Sequence, residues 1–317
     1  MSHLTAPLGI ALAIVAAPLR AQGPPPPSIE ISAPAASEIV ASRTDRYSRM
    51  TVPVMIEGHG PFRFMIDTGA QATVVTSALR DRLALPSLGQ ATLVGMAATK
   101  QVELVRLNGL EFAARVFDAI HAPILEEAHI GADGILGLDS LQDLRVLVDF
   151  RKQTIAVDDS RALGGNKGYE IVVRARRKLG RLIITDAEVD GVRTAVIIDT
   201  GAQGSMGNRA LQRRLRARRG ADVTTTDVTG ATVTSPLGFA RTLEIASMRL
   251  SNLPIAWADA PAFNALGLDR KPAMVLGIND LRLFDRVAID FAERTVLFDL
   301  PPGSERSDWS AARQALP

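Results

Sequence analysis

The feature that most constrains this chain is a five-residue motif that occurs twice. Asp-Thr-Gly-Ala-Gln begins at Asp67 and again at Asp199, 132 positions later. Each copy follows an apolar run, "FRFMI" in the first half and "TAVII" in the second, which is typical of a buried strand. Such self-similarity predicts two copies of one structural unit.

The repeat extends beyond the motif at the same spacing. Thr76 and Asn208 are equivalent, and both are residue types that cap the first turn of a helix by accepting from an exposed backbone N–H. Each is followed by two leucines four residues apart, which form one apolar stripe on a helix: Leu79 and Leu83, and Leu211 and Leu215. Each half is therefore predicted to run from a strand through the Asp-Thr-Gly loop into a short capped helix.

A second block also recurs. "GILG" ends at Gly137 and "MVLG" at Gly277, and each is followed by a short helical segment and an apolar strand that ends in Asp-Phe. Another β-type run follows after a few polar residues, which predicts a hairpin in each half.

The chain of 317 residues suits about two domains. We predict a signal peptide at 1–21, a Pro/Ala-rich linker at 22–43, two lobes at 44–160 and 165–302, and a tail at 303–317. The apolar run in residues 1–21 has the length of a signal-peptide core, with an ordinary buried helix as the alternative. A signal peptide implies export to a periplasm or out of the cell.

Composition excludes several kinds of chemistry. The chain has no cysteine, and its four histidines lack metal-ligand spacing, so we expect no metal or other cofactor. A net charge of only +2 argues against nucleic acid as a partner, and no segment after the N-terminus is apolar enough for a membrane span. The basic runs 173–181 and 213–219 are either solvated faces or attractants for an anionic surface, and the role of Arg213–Arg219 stays open.

The two aspartates suggest a specific chemistry. A carboxylate that leaves an apolar strand for a partly buried loop is desolvated, which raises its pKa. If Asp67 and Asp199 meet, they share one proton over a wide pH range. The ionised member then acts as a general base on water, and the protonated member as a general acid on a carbonyl. The alternative is a pair of repeated turns with aspartate as the turn residue.

These residues resemble the retropepsin-like aspartic proteases, in particular bacterial members with tandem lobes. The resemblance rests on the apolar-apolar-Asp-Thr-Gly-Ala loops and the apolar-apolar-Gly blocks, and it covers roughly residues 45–300. It implies a mostly β fold of two homologous β-barrel lobes about a pseudo-twofold axis, with Asp67 and Asp199 as the catalytic pair. It also implies a supporting set in the loops, Thr68, Gly69, Ala70, Thr200, Gly201 and Ala202, and psi-loop glycines at Gly137 and Gly277.

The chain departs from the family at its flaps and in its second loop. No tyrosine lies in the flap candidates, Val94–Lys100 and Val228–Ser235. Gly204 and Gly207 replace the Ala72 and Val75 of the first half, which favours a looser second loop.

The sequence thus predicts an exported aspartic endopeptidase that acts on polypeptides as a monomer with its dyad inside one chain. One alternative is a non-catalytic peptide- or ligand-binding protein that retains the fold. Another is a dimer in which Asp67 of one chain faces Asp67 of a second.

Overall fold

The computed structural model describes residues 13–15, 39–41, 43–44, 50–113, 115–217, 220–302 and 304. The predicted signal peptide, linker and tail lie outside the described residues, apart from the short pieces within these ranges. Residues 13–15 form a strand that pairs with the edge of the first lobe.

The first lobe and its sheet extensions contain these elements in chain order: β1 Ala13–Val15, β2 Ile39–Ala41, β3 Arg43–Thr44, β4 Met50–Ile56, β5 His59–Ile66, β6 Val74–Thr76, α1 Ser77–Arg82, β7 Ser87–Val94, β8 Thr99–Leu107, β9 Leu110–Phe112, β10 Arg115–Phe117, β11 Ile120–Leu125, α2 Glu127–Ile130, β12 Gly134–Leu136, α3 Leu138–Leu141, β13 Arg145–Asp149 and β14 Thr154–Asp158.

The second lobe contains the following elements: β15 Ile171–Arg174, β16 Arg176–Lys178, β17 Arg181–Val189, β18 Val192–Ile198, β19 Met206–Gly207, α4 Arg209–Leu215, β20 Asp222–Thr226, β21 Thr232–Ile245, β22 Met248–Trp257, α5 Pro261–Ala265, β23 Ala273–Leu276, α6 Ile278–Leu281, β24 Arg286–Asp290 and β25 Thr295–Asp299.

The two lobes share one strand topology, which confirms the predicted mostly β, bilobal fold. In the first lobe β12 runs parallel to β5 and antiparallel to β6, and β6 is parallel to β11. In the second lobe β23 is placed in the same way beside β18 and β19, and β19 is parallel to β22. Each lobe therefore inserts its Gly-ending strand beside the strand that leads into the Asp-Thr-Gly motif.

The helix caps form as predicted. The Thr76 hydroxyl accepts from the backbone N–H of Leu79 at 3.1 Å, and the Asn208 side chain accepts from the N–H of Leu211 at 2.8 Å. Leu79 and Leu211 are buried, and the leucines four residues later pack partly buried against the same core. Each capped helix thus anchors the end of its Asp-Thr-Gly loop to its lobe.

A six-stranded sheet joins the lobes beneath the loops. Its order is β15-β25-β24-β13-β14-β2, and the two predicted hairpins meet where β13 pairs antiparallel with β24. Arg145 faces Asp290 across this seam, and Arg145 Nε donates to Asp290 Oδ2 at 2.8 Å. Because both side chains are fully buried, losing either one would leave an uncompensated charge in the interface.

Among the described residues, no helix is long and apolar enough to cross a membrane.

Candidate active site

Asp67 and Asp199 lie at equivalent points where a buried strand ends. β5 ends at Ile66 and β18 at Ile198, one residue before each aspartate. The N–H of Asp67 donates to Leu136 O and the N–H of Asp199 donates to Leu276 O, both at 3.1 Å. The neighbouring Gly-ending strand therefore fixes the start of each loop.

Each loop holds one oxygen of its own aspartate with two backbone N–H groups. Asp67 Oδ1 accepts from Gly69 at 2.8 Å and from Ala70 at 3.0 Å. Asp199 Oδ1 accepts from the equivalent pair at 2.9 and 3.0 Å. The glycines of the second loop do not disturb these contacts, since both carboxylates are held by equivalent bonds whose lengths differ by no more than 0.1 Å.

The support that Val75 gives the first loop is replaced in the second. Gly207 takes the place of Val75 in the short strand after the loop, and a Cβ there would lie 2.5 Å from the indole atom Cζ3 of Trp257. Trp257 is fully buried. The indole thus fills the space that the Val75 side chain occupies at the equivalent position of the first lobe.

The two loops interlock through their threonines. The Thr68 hydroxyl donates to Ile198 O at 3.0 Å, and the Thr200 hydroxyl donates to Ile66 O at 2.8 Å. Each hydroxyl also accepts from the backbone N–H of the other threonine, at 3.1 and 3.2 Å. Because every one of these four bonds joins the two lobes, the loops are fixed to each other as well as to their own strands.

Glycine at the third motif position allows the carboxylates to approach. A Cβ on Gly69 would lie 2.3 Å from Asp199 Oδ2, and a Cβ on Gly201 would lie 2.2 Å from Asp67 Oδ2. Each aspartate therefore directs its second oxygen at the opposite loop. Within the described part of the chain, no donor other than the opposite carboxyl reaches either Oδ2.

Burial raises the pKa of both carboxyls. Asp67 and Asp199 are each 0% exposed. Burial raises the pKa of Asp67 well above its usual range, and the charge of Asp199 raises it further. The pKa of Asp199 is also raised by burial, while the hydrogen bond with Asp67, the N–H of Ala202 and the nearby Arg181 charge oppose the shift. A pair of this kind titrates as a unit and holds one proton across a wide range of pH.

The flap candidates lie at hairpin turns that contact each other across the two lobes. The β7–β8 turn spans residues 95–98, and the β20–β21 turn spans residues 227–231. Asp227 Oδ2 accepts from the N–H of Ala97 at 2.9 Å, across the two lobes. Gly95, the repeat equivalent of Asp227, must lack a side chain, since a Cβ there would lie 2.4 Å from Asp227 Oδ2.

Each flap also inserts one apolar side chain into the opposite lobe. Met96 of the first flap packs in a buried cluster with Ile183 and Ile197 of the second lobe. Its equivalent Val228 packs in a buried cluster with Met65 and other residues of the first lobe. This reciprocal packing ties each flap to the opposite lobe.

Comparison with known families finds a match in each lobe. The model of the gag-polyprotein aspartyl protease matches residues 52–143, and the aspartyl protease model matches residues 185–279. The chain belongs to the retropepsin-like aspartic proteases. A search of the curated proteins found no match.

Two further carboxylates support the protease loops and were not predicted. Asp139 accepts from the Thr73 hydroxyl at 2.6 Å, and Asp280 accepts from the equivalent hydroxyl of Ser205. Those hydroxyls in turn accept from the N–H groups of the psi-loop glycines Gly137 and Gly277, both at 3.2 Å. Burial raises the pKa of each supporting carboxyl, and its hydroxyl partner opposes the shift.

Gly137 and Gly277 lie against the two Asp-Thr-Gly loops. A Cβ on Gly137 would lie 2.3 Å from the backbone carbon of Ala72, and one on Gly277 would lie 2.6 Å from Gly204 O. Just beyond them, the N–H of Leu138 donates to Ala70 O at 2.8 Å and that of Ile278 to Ala202 O at 2.7 Å.

One cation also reaches the protease loops. Arg181, the first residue of β17, is 0% exposed, although the basic run 173–181 that it ends was expected to be a solvated face or an attractant for anions. Its Nε donates to Gly69 O at 2.7 Å, from the second lobe to the first. Other members of the run, Arg176, Arg177 and Lys178, are exposed as predicted.

Proposed function

We propose that the chain is an aspartic endopeptidase in which Asp67 and Asp199 activate water for peptide hydrolysis. One observation carries the proposal: two buried carboxylates each hold one oxygen in their own loop and direct the other oxygen at the opposite loop. A structural turn has no need to leave a buried carboxylate oxygen with no hydrogen-bond partner except a second carboxyl, since burying it in that way costs free energy.

The reaction follows from the single shared proton. The ionised carboxylate takes a proton from a water held between the two Oδ2 atoms, and the resulting hydroxide attacks the carbonyl carbon of the scissile amide. The protonated carboxyl donates to the carbonyl oxygen as it becomes negative. In the breakdown step the carboxyl that took the water proton donates it to the amide nitrogen, and the C–N bond breaks. The other carboxylate takes a hydroxyl proton as the carbonyl re-forms, so a carboxylic acid and an amine leave and the pair again holds one proton.

A substrate reaches the aspartates only when the flaps open. With both aspartates inaccessible to solvent, an extended polypeptide reaches them only after the Asp227–Ala97 contact separates and the side chains of Met96 and Val228 withdraw. Flap opening is therefore a step of the cycle, and its rate contributes to turnover.

The test is hydrolysis of a peptide library by the purified protein at several pH values from acidic to neutral. Replacing either member by asparagine keeps the size of the side chain and its Oδ1 acceptor but removes the shared proton. We expect Asp67→Asn and Asp199→Asn each to lower kcat by roughly 10³-fold or more. Cleavage by both variants at the wild-type rate would reject the dyad mechanism.

The alternative is a non-catalytic binding protein that retains the protease fold, and the same experiment separates the two. Wild type that binds peptides in the cleft without cleaving them at any pH would favour it. We prefer the enzyme because both loops keep matched hydrogen bonds to their aspartates, a constraint that peptide binding alone does not impose.

We also propose that the protease is exported through the N-terminal segment at 1–21. The support is the apolar run there followed by Pro-rich sequence. N-terminal sequencing of the protein from cell fractions tests this, and a start near residue 22 in an exported fraction is expected.

A further inference from the structure

Among the described residues, Arg181 is the one buried cation that contacts an Asp-Thr-Gly loop. The mechanism proposed above does not use it. It lies at the start of β17, on the hairpin that precedes the second Asp-Thr-Gly loop. The residues before it reach the first loop as well, since the side-chain nitrogen of Gln71 donates to Leu179 O at 2.9 Å. The turn at residues 179–181 therefore packs on the first loop at two points.

Gly69 connects Arg181 to both aspartates. Its carbonyl accepts from Arg181 Nε at 2.7 Å, and its N–H donates to Asp67 Oδ1 at 2.8 Å. Its Cα faces Asp199 Oδ2, as the 2.3 Å approach of a Cβ there shows. One residue thus contacts the guanidinium and both carboxylates.

The charge on this arrangement is balanced only in one protonation state. A dyad with one proton carries one negative charge, and a buried guanidinium carries one positive charge. Burying a lone anion is costly, and a fixed cation nearby offsets that cost. Doubly protonated or doubly ionised dyads leave an uncompensated charge in the same buried space.

We propose that Arg181 is a positioning residue of the dyad, which holds the Gly69 carbonyl and supplies the positive charge that stabilises the singly ionised pair. This role rests on the proposed function for its effect on catalysis. The sequence carries the same feature twice, because Arg49 precedes Asp67 by 18 positions and Arg181 precedes Asp199 by 18. Arg49 lies outside the described residues.

The groups that act on the two aspartates determine in which direction their pKa values change when Arg181 is replaced. The charge of Asp199 raises the pKa of Asp67, and the hydrogen bond between the two carboxyls raises the pKa of Asp67 and lowers that of Asp199. The N–H groups of Gly69, Gly201 and Ala202 lower the pKa of the aspartate that they bond, and Arg181 lowers the pKa of both. Without the guanidinium, each of the two ionisation steps therefore occurs at higher pH.

The first experiment is the pH profile of kcat/KM for Arg181→Gln, Arg181→Lys and the control Arg177→Gln, which removes an exposed charge from the adjacent strand. In Arg181→Gln both limbs of the profile should move to higher pH by about one unit or more. Arg181→Lys should restore much of the wild-type profile, because it keeps the charge but not the planar donor group. Arg177→Gln should leave both limbs in place. A folded Arg181→Gln with wild-type limbs would overturn the proposal.

A mutant cycle with Tm as its readout tests the same charge coupling without a measurement of activity. Arg181→Gln is compared in wild type and in the Asp67→Asn/Asp199→Asn double variant, where no anion remains, at neutral pH. We expect a much larger loss of Tm, or failure to fold, in wild type than in the neutral background. Equal losses in both backgrounds would overturn the role of the charge. Because this cycle needs no substrate, it still decides the matter if wild type proves to cleave nothing.

Discussion

The two Asp-Thr-Gly loops occupy equivalent positions in the two lobes, and so do the two flaps. Only the loops also have the same residues and contacts at these positions. The bonds that hold the aspartates differ by no more than 0.1 Å between the lobes. At the flap tips, by contrast, Gly95 faces its own repeat equivalent, Asp227. Two carboxylates are useful where a proton is shared, whereas two aspartates at the flap tips would repel. The shared proton therefore requires the same residue in both loops, whereas contact between the two flap tips requires different residues.

Breaking the symmetry of the loops should have the largest effect. Gly69→Ala and Gly201→Ala each place a Cβ within 2.3 Å of the opposite carboxylate, so both should separate the aspartates. We expect each variant to lose about 10²-fold or more in kcat, since small displacements of reacting groups are costly. Steady-state kinetics with a cleaved peptide measures the loss. Near-normal activity in one variant and none in the other would show that the loops are not equivalent.

Breaking the asymmetry of the flaps should have a smaller effect. Asp227→Ala removes the acceptor for the Ala97 N–H, and a hydrogen bond to a charged group contributes about 1.5–3 kcal/mol. Hydrogen exchange at the Ala97 amide should become about tenfold faster or more. Unchanged exchange would show that the contact does not hold the flap closed.

A matched pair of variants separates space from charge at the flap tips. Gly95→Ala alone should open the flaps, because its Cβ would lie 2.4 Å from Asp227 Oδ2. In the Asp227→Ala background the same change meets no carboxylate and should add little. Equal effects in both backgrounds would mean that the glycine serves some other purpose.

The smallest effect concerns stability. Because burial raises the pKa of both aspartates in the folded state, the folded protein keeps a proton that the unfolded chain has lost. This contribution to stability is full below the unfolded pKa of about 4 and is lost as pH rises through the folded values. Asp67→Asn should therefore raise Tm at neutral pH by about 2–4 °C while it abolishes activity. Thermal melts from pH 4 to pH 8 check this, and a lower Tm throughout would contradict it.

Much of the fold was predictable because its signals are local and occur twice. The repeated motif, the caps at Thr76 and Asn208, and the two hairpins each depend on residues near in sequence. The seam between Arg145 and Asp290 was not predictable, since it depends on the register of strands from different lobes.

Parts of the site were missed for identifiable reasons. Asp139 and Asp280 have one role but follow their glycines by two and three residues, so a fixed repeat spacing does not align them. Arg181 ends a run of exposed cations, so the composition of the run alone predicts an exposed side chain. Its 18-residue spacing to Asp199, which Arg49 and Asp67 repeat, is the sequence signal that sets it apart. Gly95 and Asp227 face each other because of the way in which the two lobes pack, and the sequence of one half alone does not specify that packing.

The most direct test of a dyad that shares one proton is the pH dependence of kcat/KM for the wild-type protein. A singly ionised pair predicts a bell: activity rises as the first proton leaves, falls as the second leaves, and is lost at every pH in both Asp67→Asn and Asp199→Asn. A profile that rises once and stays level to high pH, with either variant still active, would show that a single carboxylate does the chemistry and would contradict the shared proton.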